Sequence, residues 1–381
     1  MKMMYIVNAR IPTEKAHGLQ IVKMCEAFGD AGVALTLVLP TRKNPILDKI
    51  SIYDYYKVKN NFQITKLRTL DPRFLLKFPA GTYSALLFFF FGRRISGYLE
   101  KQTISKDTVL YTRDQYLLPV LLKFSQQVVW EAHDLPRNKT RYVSYWKKCS
   151  KIITITHGLK DELVTLGLNR ENIFVAPDGV DLKIFGKVQQ SPTELKAKFN
   201  LPQDKKIVLY TGHLYDWKGV HVLAEAASRI DSNAVVIFLG GTDADAAKFK
   251  SQYGTQANII VLARVEHHRV PEYLQAADIL VLPNSGKTKI SSKYTSPLKL
   301  FEYMSAHKPI VATSLPSLEE ILNSKNAILV EPDNPAELAA GINAVLNDSS
   351  LAKKVAEHAY LAVGQYSWTQ RSRNIVGFVT S

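Results

Sequence analysis

Short apolar runs alternate with amphipathic helical patterns along nearly the whole chain. Each run is four to six residues long and is bounded by turn residues. This alternation predicts parallel sheets that are covered by helices on both faces. The strands predicted in the first half are Met4–Asn8, Ala34–Leu39, Thr108–Tyr111, Val128–Glu131, Ile152–Thr156 and Ile173–Ala176. Those predicted in the second half are Lys206–Thr211, Ala234–Leu239, Ile259–Leu262, Ile279–Leu282, Ile310–Thr313 and Ala327–Val330.

The alternation is interrupted once, near the middle of the chain. Residues 178–190 carry turn residues without a strong period, which predicts a linker. The 381 residues are also too many for one ordinary core. We therefore expect two domains, 1–183 and 184–366. Ser367 is a suitable N-cap for a last amphipathic helix over 367–381.

The composition is that of a globular protein, with 46% hydrophobic and 22% charged residues. Its two cysteines, Cys25 and Cys149, exclude a disulfide framework and suit a reducing compartment. The apolar run near Met1 is too short for a signal peptide and is typical of a first strand. We expect a cytoplasmic protein.

The net charge of +15 is concentrated in the first half of the chain. Residues 1–185 contain 28 Lys and Arg against 16 Asp and Glu, whereas the remainder contains 21 against 18. Basic pairs such as Arg93-Arg94 and Lys147-Lys148 are too short and scattered for a nucleic-acid footprint, so no nucleic-acid partner is expected.

Apolar segments flanked by Lys and Arg lie within that basic half, at Phe74–Phe78 and Ala85–Phe91. They fall far short of the roughly 20 residues that span a bilayer. Two interpretations remain: a core helix of the first domain, or a segment that dips into an anionic headgroup layer. The second would make the protein peripheral on the inner face of the cell membrane.

The segment Ser296–Thr313 predicts a helix followed by a buried strand. Pro297 suits a first helical turn, where unpaired N–H groups and the helix dipole create an anion site fit for a diphosphate. Glu302 lies about one turn further in, on an otherwise apolar side. A bare carboxylate there is costly unless something such as a ribose diol bonds it. The alternative is an ordinary αβ unit with a surface glutamate.

A second segment, Ile207–Val220, predicts a buried strand, a glycine turn and a helix start. It puts His213 and Lys218 at the end of a strand, where open α/β sheets bind ligands. Other chemical signals are weaker. Asp243-Ala244-Asp245 is interpreted as a solvated helix start, not a metal motif. His267 and His268 are predicted to point to opposite sides of a strand, which disfavours chelation, and no metal site is expected.

Together these segments resemble the GT-B glycosyltransferases of family 4 (group 1). The resemblance rests on the order and spacing of motifs, and it implies an α/β fold with two Rossmann-like doubly wound domains facing a cleft. In that fold the C-terminal helix crosses back to the first domain. The motifs are Gly18 after the first strand, Glu131–Asp134, Ala176–Asp181, Gly212–Gly219, Tyr273–Pro283 and Ser296–Thr313.

The resemblance also implies roles for individual residues of the second domain. Lys218 matches the lysine that neutralises the donor diphosphate, and Glu302 matches the second glutamate of the family's E-x7-E pattern, which bonds the ribose. Leu298 and Lys299 would offer backbone N–H groups to the distal phosphate.

In the first domain, two residues match the donor-facing positions of the family. Gly18 lies where the first loop approaches the sugar and phosphate, and a Cβ would obstruct that approach. His133 matches a histidine near the donor sugar that bonds a hydroxyl or shares developing charge. His133, Lys218 and Glu302 are therefore the expected catalytic residues.

The chain departs from the family at two positions. Tyr294 stands where the first glutamate of E-x7-E would hold the donor sugar. His213 replaces an arginine beside the diphosphate, which offers a weaker and pH-dependent charge. These departures leave room for weak activity.

The function implied by the resemblance is retaining transfer of a sugar from a UDP- or GDP-linked donor to a glycan, a lipid-linked or another hydroxyl acceptor. It is expected to need neither metal nor cofactor, and to serve cell-surface glycan synthesis. Two alternatives stay open. One is a catalytically weak nucleotide-binding or scaffold subunit of the same fold, and the other is a GT-B-fold sugar-nucleotide epimerase or phosphorylase.

One backbone prediction is independent of function. His307 follows the last helical residues of Ser296–Ala306 and precedes Lys308-Pro309, where helices commonly close on a glycine in the left-handed region. The resembling family often has glycine there. Histidine tolerates this conformation better than most residues, so we expect a positive φ at His307.

Overall fold

A computed structural model describes residues 1–42, 44, 47, 49–71 and 82–381. The chain folds into two compact units. The first unit comprises Met1–Pro177 together with Trp368–Ser381, and the second comprises Asp178–Ser367. A short helix, Leu182–Phe185, lies within the predicted linker, where the side chain of Asp181 caps it.

The first unit contains a parallel sheet of seven strands. Their order is β3-β2-β1-β4-β5-β6-β7, and every neighbouring pair is parallel. The strands are β1 Lys2–Ile6, β2 Ala34–Thr41, β3 Gln63–Arg68, β4 Thr108–Thr112, β5 Val128–Ala132, β6 Lys151–Thr154 and β7 Ile173–Val175. Its helices are α1 Ala16–Asp30, α2 Ile52–Tyr56, α3 Thr82–Leu99, α4 Leu118–Leu121, α5 Thr140–Trp146, α6 His157–Thr165 and the C-terminal α16 Trp368–Thr380.

The second unit contains a parallel sheet of six strands in the order β10-β9-β8-β11-β12-β13. The strands are β8 Lys206–Thr211, β9 Ala234–Leu239, β10 Ile259–Leu262, β11 Ile279–Leu282, β12 Ile310–Thr313 and β13 Ile328–Val330. Its helices are α7 Leu182–Phe185, α8 Pro192–Lys198, α9 Val220–Ala226, α10 Asp243–Tyr253, α11 Val270–Ala276, α12 Leu298–Ser305, α13 Pro316–Glu319, α14 Pro335–Asn347 and α15 Ser349–Val363.

The predicted α/β class with two doubly wound parallel sheets is confirmed. In each sheet the strand order reverses beside the first strand, so β1 and β4 flank one reversal and β8 and β11 flank the other. Open α/β sheets bind ligands outside the carboxyl ends of the strands at such a point. The loops that follow these four strands are therefore where each unit can hold a ligand.

The apolar runs predicted the strands of the second unit well, because four of its six strands, β8, β9, β11 and β12, are buried along nearly their whole length. The side chains of β9 and β11 are fully buried. The prediction missed β3, whose side chains are partly or fully exposed and which lies at the edge of the sheet beside β2. An edge strand of this kind carries no continuous apolar run.

The C-terminal helix packs on the first unit, as the resemblance implied. Ser372 Oγ donates a hydrogen bond to Ala27 O of α1 at 3.0 Å, and the ring of Phe378 stacks on that of Phe174 with centroids 5.3 Å apart. Two further expectations are confirmed. His307 has φ +55°, and Asp243 begins α10 with Thr242 as its N-cap.

Candidate functional site

In the second unit, side chains of helix α12 form hydrogen bonds with the carboxyl end of β8. Thr211 N–H donates to the hydroxyl of Tyr303 at 2.8 Å, and Lys299 Nζ donates to Thr211 O at 3.1 Å. The buried side chains of Leu300, Phe301 and Met304 on the same helix pack into the core. The first turn of α12 is therefore fixed beside the loop that follows β8.

Lys299 is a buried cation in that first turn. Only 8% of the residue is exposed, and its ammonium group lies 3.7 Å from the ring centroid of Tyr210. A Cβ on Gly212 would lie 3.6 Å from this Nζ, so the glycine turn passes directly by the charge. Burial, and secondarily the charge of Lys218, hold the pKa of Lys299 well below its usual range.

Lys218 approaches the same region from the loop after β8. It ends a one-turn helix, Asp216–Lys218, and its Nζ lies 3.8 Å from the ring centroid of Trp217. The next residue, Gly219, has φ +70°, and a Cβ there would lie 1.7 Å from Pro283 O, so only glycine allows this closure. Burial lowers the pKa of Lys218 to about 7.

These two lysines form a site of poorly compensated positive charge. Their ammonium groups repel each other, and the opposing charge felt by Lys299 comes from Glu302, one turn along α12. Each loses a proton more readily than a solvated lysine, because burial disfavours the charged form. A bound anion would restore both charges, which is the behaviour expected of a phosphate site.

Helix α12 begins at Leu298, so Pro297 is its N-cap residue and not, as expected, its first helical residue. Within the described part of the chain no side chain caps this terminus. Its first N–H groups, including those of Leu298 and Lys299, therefore add partial positive charge beside the two ammonium groups.

The carboxylate of Glu302 forms a hydrogen bond with His267, a residue that the sequence analysis did not assign to the site. His267 Nε2 lies 2.6 Å from Glu302 Oε1, and the Glu302 side chain is only 12% exposed. His267 and His268 were predicted on a strand, which is wrong. They lie in the one-turn helix His267–Arg269 ahead of α11, and this turn presents His267 to α12.

The two residues that depart from the family pattern also lie in the second unit. The ring of His213 stacks on Tyr215 with centroids 4.9 Å apart, in the loop after β8. Tyr294 is buried at the end of a π-helical turn, Ile290–Tyr294, just before α12. Both positions border segments that carry Lys218 and Lys299.

In the first unit, His133 follows β5 and is part of a buried polar cluster around Glu131. Its Nε2 lies 2.7 Å from Glu131 Oε1. The same oxygen accepts from Gln20 Nε2 and from Arg371 Nη2, each at 2.8 Å, while the hydroxyl of Tyr111 donates to Oε2. Glu131 is fully buried, and its four partners come from four different segments of the chain.

The charge states in this cluster follow from its geometry. Although burial opposes ionisation, Arg371 and then His133 hold the pKa of Glu131 well below its usual range. Burial, together with Arg113, lowers the pKa of His133 to about 4. At neutral pH the cluster therefore pairs a carboxylate with a neutral imidazole.

Gly18 lies inside α1 and not in a loop. A Cβ there would come within 2.3 Å of the Tyr56 hydroxyl and 2.5 Å of Thr13 Cγ2. The hydroxyl of Tyr56 in turn accepts from Thr13 N–H and donates to Thr13 O, each at 2.9 Å. Close packing within the first unit is therefore sufficient reason for a glycine at this position.

In the second unit the expected site residues lie in the loop after β8 and in the segment from Tyr294 to Glu302 that follows β11, whereas in the first unit His133 follows β5 and Gly18 lies in α1. Sequence reasoning missed His267, Gln20 and Arg371. Gln20 and Arg371 are buried polar residues within mainly apolar stretches of their helices, which is the signal that could have revealed them.

Comparison with known proteins agrees with this picture. Residues 191–362 match the family model described as Glycosyl transferases group 1. The chain is 25% identical over 215 residues to TuaC of Bacillus subtilis, whose name describes a glycosyltransferase of teichuronic acid biosynthesis; the match covers 56% of this chain and 51% of that one. The chain spans about half the length of the curated relatives it matches.

Solved structures resemble the whole chain. An Anabaena HepE structure in complex with UDP and glucose aligns with a TM-score of 0.74 at 16% identity, covering 100% of this chain and 99% of that one. The sucrose-phosphate synthase of Thermosynechococcus elongatus aligns with a TM-score of 0.79 at 17% identity, covering 100% and 98%.

The two parallel sheets and these structural matches define the chain as a protein of the GT-B fold. Most of its second unit is similar to the group 1 glycosyltransferases, whose family model matches residues 191–362.

Two features are absent from the described ranges. No helix in residues 1–42, 49–71 and 82–381 is both long and apolar enough to cross a bilayer. Across the same ranges, no group of three or more His, Cys, Asp or Glu side chains is arranged to hold a metal ion.

Proposed function

We propose that this protein transfers a sugar from a UDP- or GDP-linked donor to a hydroxyl group of a glycan or lipid-linked acceptor, with retention of anomeric configuration. The observation that carries the proposal is a pair of mutually repelling lysines, the buried Lys299 and the half-buried Lys218, beside the uncapped start of α12. Such a site favours a ligand with two adjacent negative charges, as in a nucleotide diphosphate.

The leaving group explains how this site would promote reaction. When the bond between sugar and diphosphate breaks, negative charge builds on the β-phosphate oxygens. Lys218, His213 and the N–H groups at Leu298 and Lys299 would stabilise that charge from fixed positions. In this proposal these protein groups neutralise the leaving diphosphate, as a divalent cation does in other transferases, so no metal is needed.

Glu302 would select the nucleoside part of the donor. Its carboxylate has one oxygen bonded by His267, which leaves the other oxygen as an acceptor for ribose hydroxyls. Because Glu302 is mostly buried, its interaction with a diol is screened little by water.

His133 would contact the donor sugar or the attacking hydroxyl through Nδ1. Its low pKa makes it neutral at physiological pH, so a hydrogen-bonding role is favoured over a cationic one. Tyr294 stands where the family has a glutamate, so its contact with the donor sugar would differ from that of a glutamate. We therefore expect the donor selectivity of this protein to differ from that of relatives with glutamate at this position.

We further propose that helix α3 contacts an anionic membrane surface that carries the acceptor. Phe89 is 55% exposed, and the guanidinium of Arg93 lies 5.9 Å from its ring, with Arg94 next in the chain. Exposed aromatic and cationic side chains together suit a headgroup layer. The neighbouring segment Phe74–Phe78 lies outside the described residues.

The test is an assay of hydrolysis and transfer with a panel of UDP- and GDP-sugars, with and without lipid-linked and glycan acceptors, before and after chelation with EDTA. We expect transfer from one donor class, with the anomeric configuration retained by NMR, and no loss after chelation. Binding without turnover would instead support a nucleotide-binding subunit. Epimerised sugar nucleotide or phosphate-dependent cleavage would support the other alternative.

A further inference from the structure

We propose that Arg371 on the C-terminal helix is a positioning residue for His133. Arg371 holds the Glu131 carboxylate, and Glu131 in turn fixes the imidazole of His133 with Nε2–H bonded inward and the Nδ1 lone pair available to a substrate hydroxyl. The substrate contact rests on the proposed function, whereas the state of the imidazole does not.

Arg371 is buried and donates hydrogen bonds to three acceptors of the first unit. Only 4% of the residue is exposed. Its Nε donates to Pro177 O at 2.8 Å, while Nη2 donates both to Ala176 O at 3.1 Å and to Glu131 Oε1 at 2.8 Å. The two carbonyls fix the guanidinium plane, so the arginine presents a charge of defined position to Glu131.

The tautomer of His133 follows from that charge. An ionised carboxylate only accepts hydrogen bonds, so the ring nitrogen 2.7 Å from Glu131 Oε1 must carry the proton. A neutral imidazole has a single N–H. The proton on Nε2 therefore leaves Nδ1 as an acceptor, suited to receive a hydrogen bond from a hydroxyl group.

The surrounding charges decide whether His133 stays neutral. The groups that face it are Glu131 of β5, Arg113 after β4, Arg371 of α16 and His17 of α1. Arg113 is held in place by Gln20, whose Oε1 accepts from its Nη1 at 2.8 Å. With two arginines close by, a second proton on the imidazole is disfavoured.

Removing Arg371 would change this balance in a defined direction. The buried carboxylate would lose its strongest cationic partner, and His133 would lose one of the charges that oppose its protonation. The pKa of His133 would then rise, so the imidazolium ion that pairs with Glu131 would form at a higher pH than in wild type. An imidazolium has two N–H donors and no acceptor, so the substrate hydroxyl would lose its partner.

The experiment compares wild-type protein with Arg371→Met, Arg371→Lys and Ser372→Ala. Ser372→Ala is the matched control, because it removes the bond of α16 to Ala27 without touching Glu131. Selective ¹⁵N labelling of histidine reports the protonation of each ring nitrogen across a pH series, with the His133 signal assigned by its loss in His133→Gln. A thermal melt of each variant checks the fold.

We expect the Nε2–H tautomer of His133 at neutral pH in wild type, Arg371→Lys and Ser372→Ala, and an upward shift of the pKa of His133 in Arg371→Met. Turnover in Arg371→Met should fall about tenfold to a hundredfold, as when a partner that orients a working imidazole is lost. The acid limb of its pH profile should move to higher pH, while the affinity for UDP or GDP stays unchanged.

An unchanged pH titration of His133 in folded Arg371→Met would overturn the proposal, as would an equal change in Ser372→Ala. If Arg371→Met does not fold, the variants Arg371→Lys and Glu131→Gln provide the test. His133 should keep its wild-type protonation state in Arg371→Lys, and its pH titration should shift in Glu131→Gln. Should wild-type protein show no transfer at all, the proposed function fails, but the tautomer result is still decided by the NMR readout.

Discussion

His267 Nε2 lies 2.6 Å from Glu302 Oε1, although the two residues are 35 positions apart. The bond leaves Oε2 of Glu302 available and restricts the rotation of its carboxylate. If Glu302 binds the ribose, His267 acts as the residue that orients it. The side chain of His267 is 42% exposed, so it can be changed without opening the core.

We predict that His267→Ala weakens binding of UDP or GDP by roughly threefold to tenfold, the size expected for loss of one orienting hydrogen bond of about 1 kcal/mol. Calorimetry measures the affinity. His268→Ala is the control, because His268 is similarly exposed and pairs with Glu266 at 3.4 Å, away from Glu302. Equal affinities of the two variants would contradict the prediction.

Lys218→Ala and Glu302→Ala should each weaken nucleotide binding or turnover strongly while the fold is retained. A charge-assisted bond lost from a desolvated site costs about 1.5–3 kcal/mol, or roughly tenfold to a hundredfold in affinity. Calorimetry measures the nucleotide affinity, and a melting curve on the same samples checks the fold. Lys248→Ala is the control, because Lys248 is exposed. Wild-type affinity in both variants would refute the site.

Donor binding should weaken as the pH rises above about 7. Lys218 has a pKa lowered to about 7 by burial, so above that pH the free protein has increasingly lost the ammonium charge. A bound diphosphate raises the pKa, and binding must then take up a proton at a growing cost in free energy. Lys218→Arg should flatten the dependence, because arginine stays charged.

The measurement is calorimetry with UDP-glucose, or whichever donor the panel identifies, between about pH 7 and pH 9. A sugar nucleotide is preferred to the free nucleotide, because its diphosphate has no terminal group that titrates in this range. Two buffers of different ionisation enthalpy give the number of protons taken up. No proton uptake at pH 8 would count against a titrating lysine at the site.

His307→Gly should change the free energy of unfolding by less than about 1 kcal/mol, whereas His307→Val should be clearly less stable. The φ of +55° costs a non-glycine residue about 1 kcal/mol, and more for a β-branched one. Glycine relieves this strain but loses the bond to Glu357 at 2.7 Å and the stacking on Tyr360. Urea denaturation compares the three proteins.

Vesicles with anionic headgroups should bind the protein at low salt, and high salt should weaken the attachment because the charges are screened. Phe89→Ser and Arg93→Ala together should reduce binding in a flotation assay. A double variant of the exposed residues Lys353 and Lys354 serves as the charge control. Equal binding to neutral and anionic vesicles, or none to either, would argue against a membrane surface.

The sequence by itself determined the elements that are buried on both faces. In the second unit, β8, β9, β11 and β12 have the bounds that the apolar runs predicted, because a strand between two layers of helices must be apolar along its length. Local rules also predicted the start of α10 and the left-handed His307. Each of these depends on residues that are close together in the chain.

Only the tertiary structure decided which charged groups meet. Arg371 lies 240 positions from Glu131, and Lys299 lies 88 from Thr211, so no local pattern relates them. Their meeting depends on strand order, on the register of the sheets and on which helix face is buried. A buried charge is costly unless its partners are in place, so these pairs form only once the strands and helices have packed.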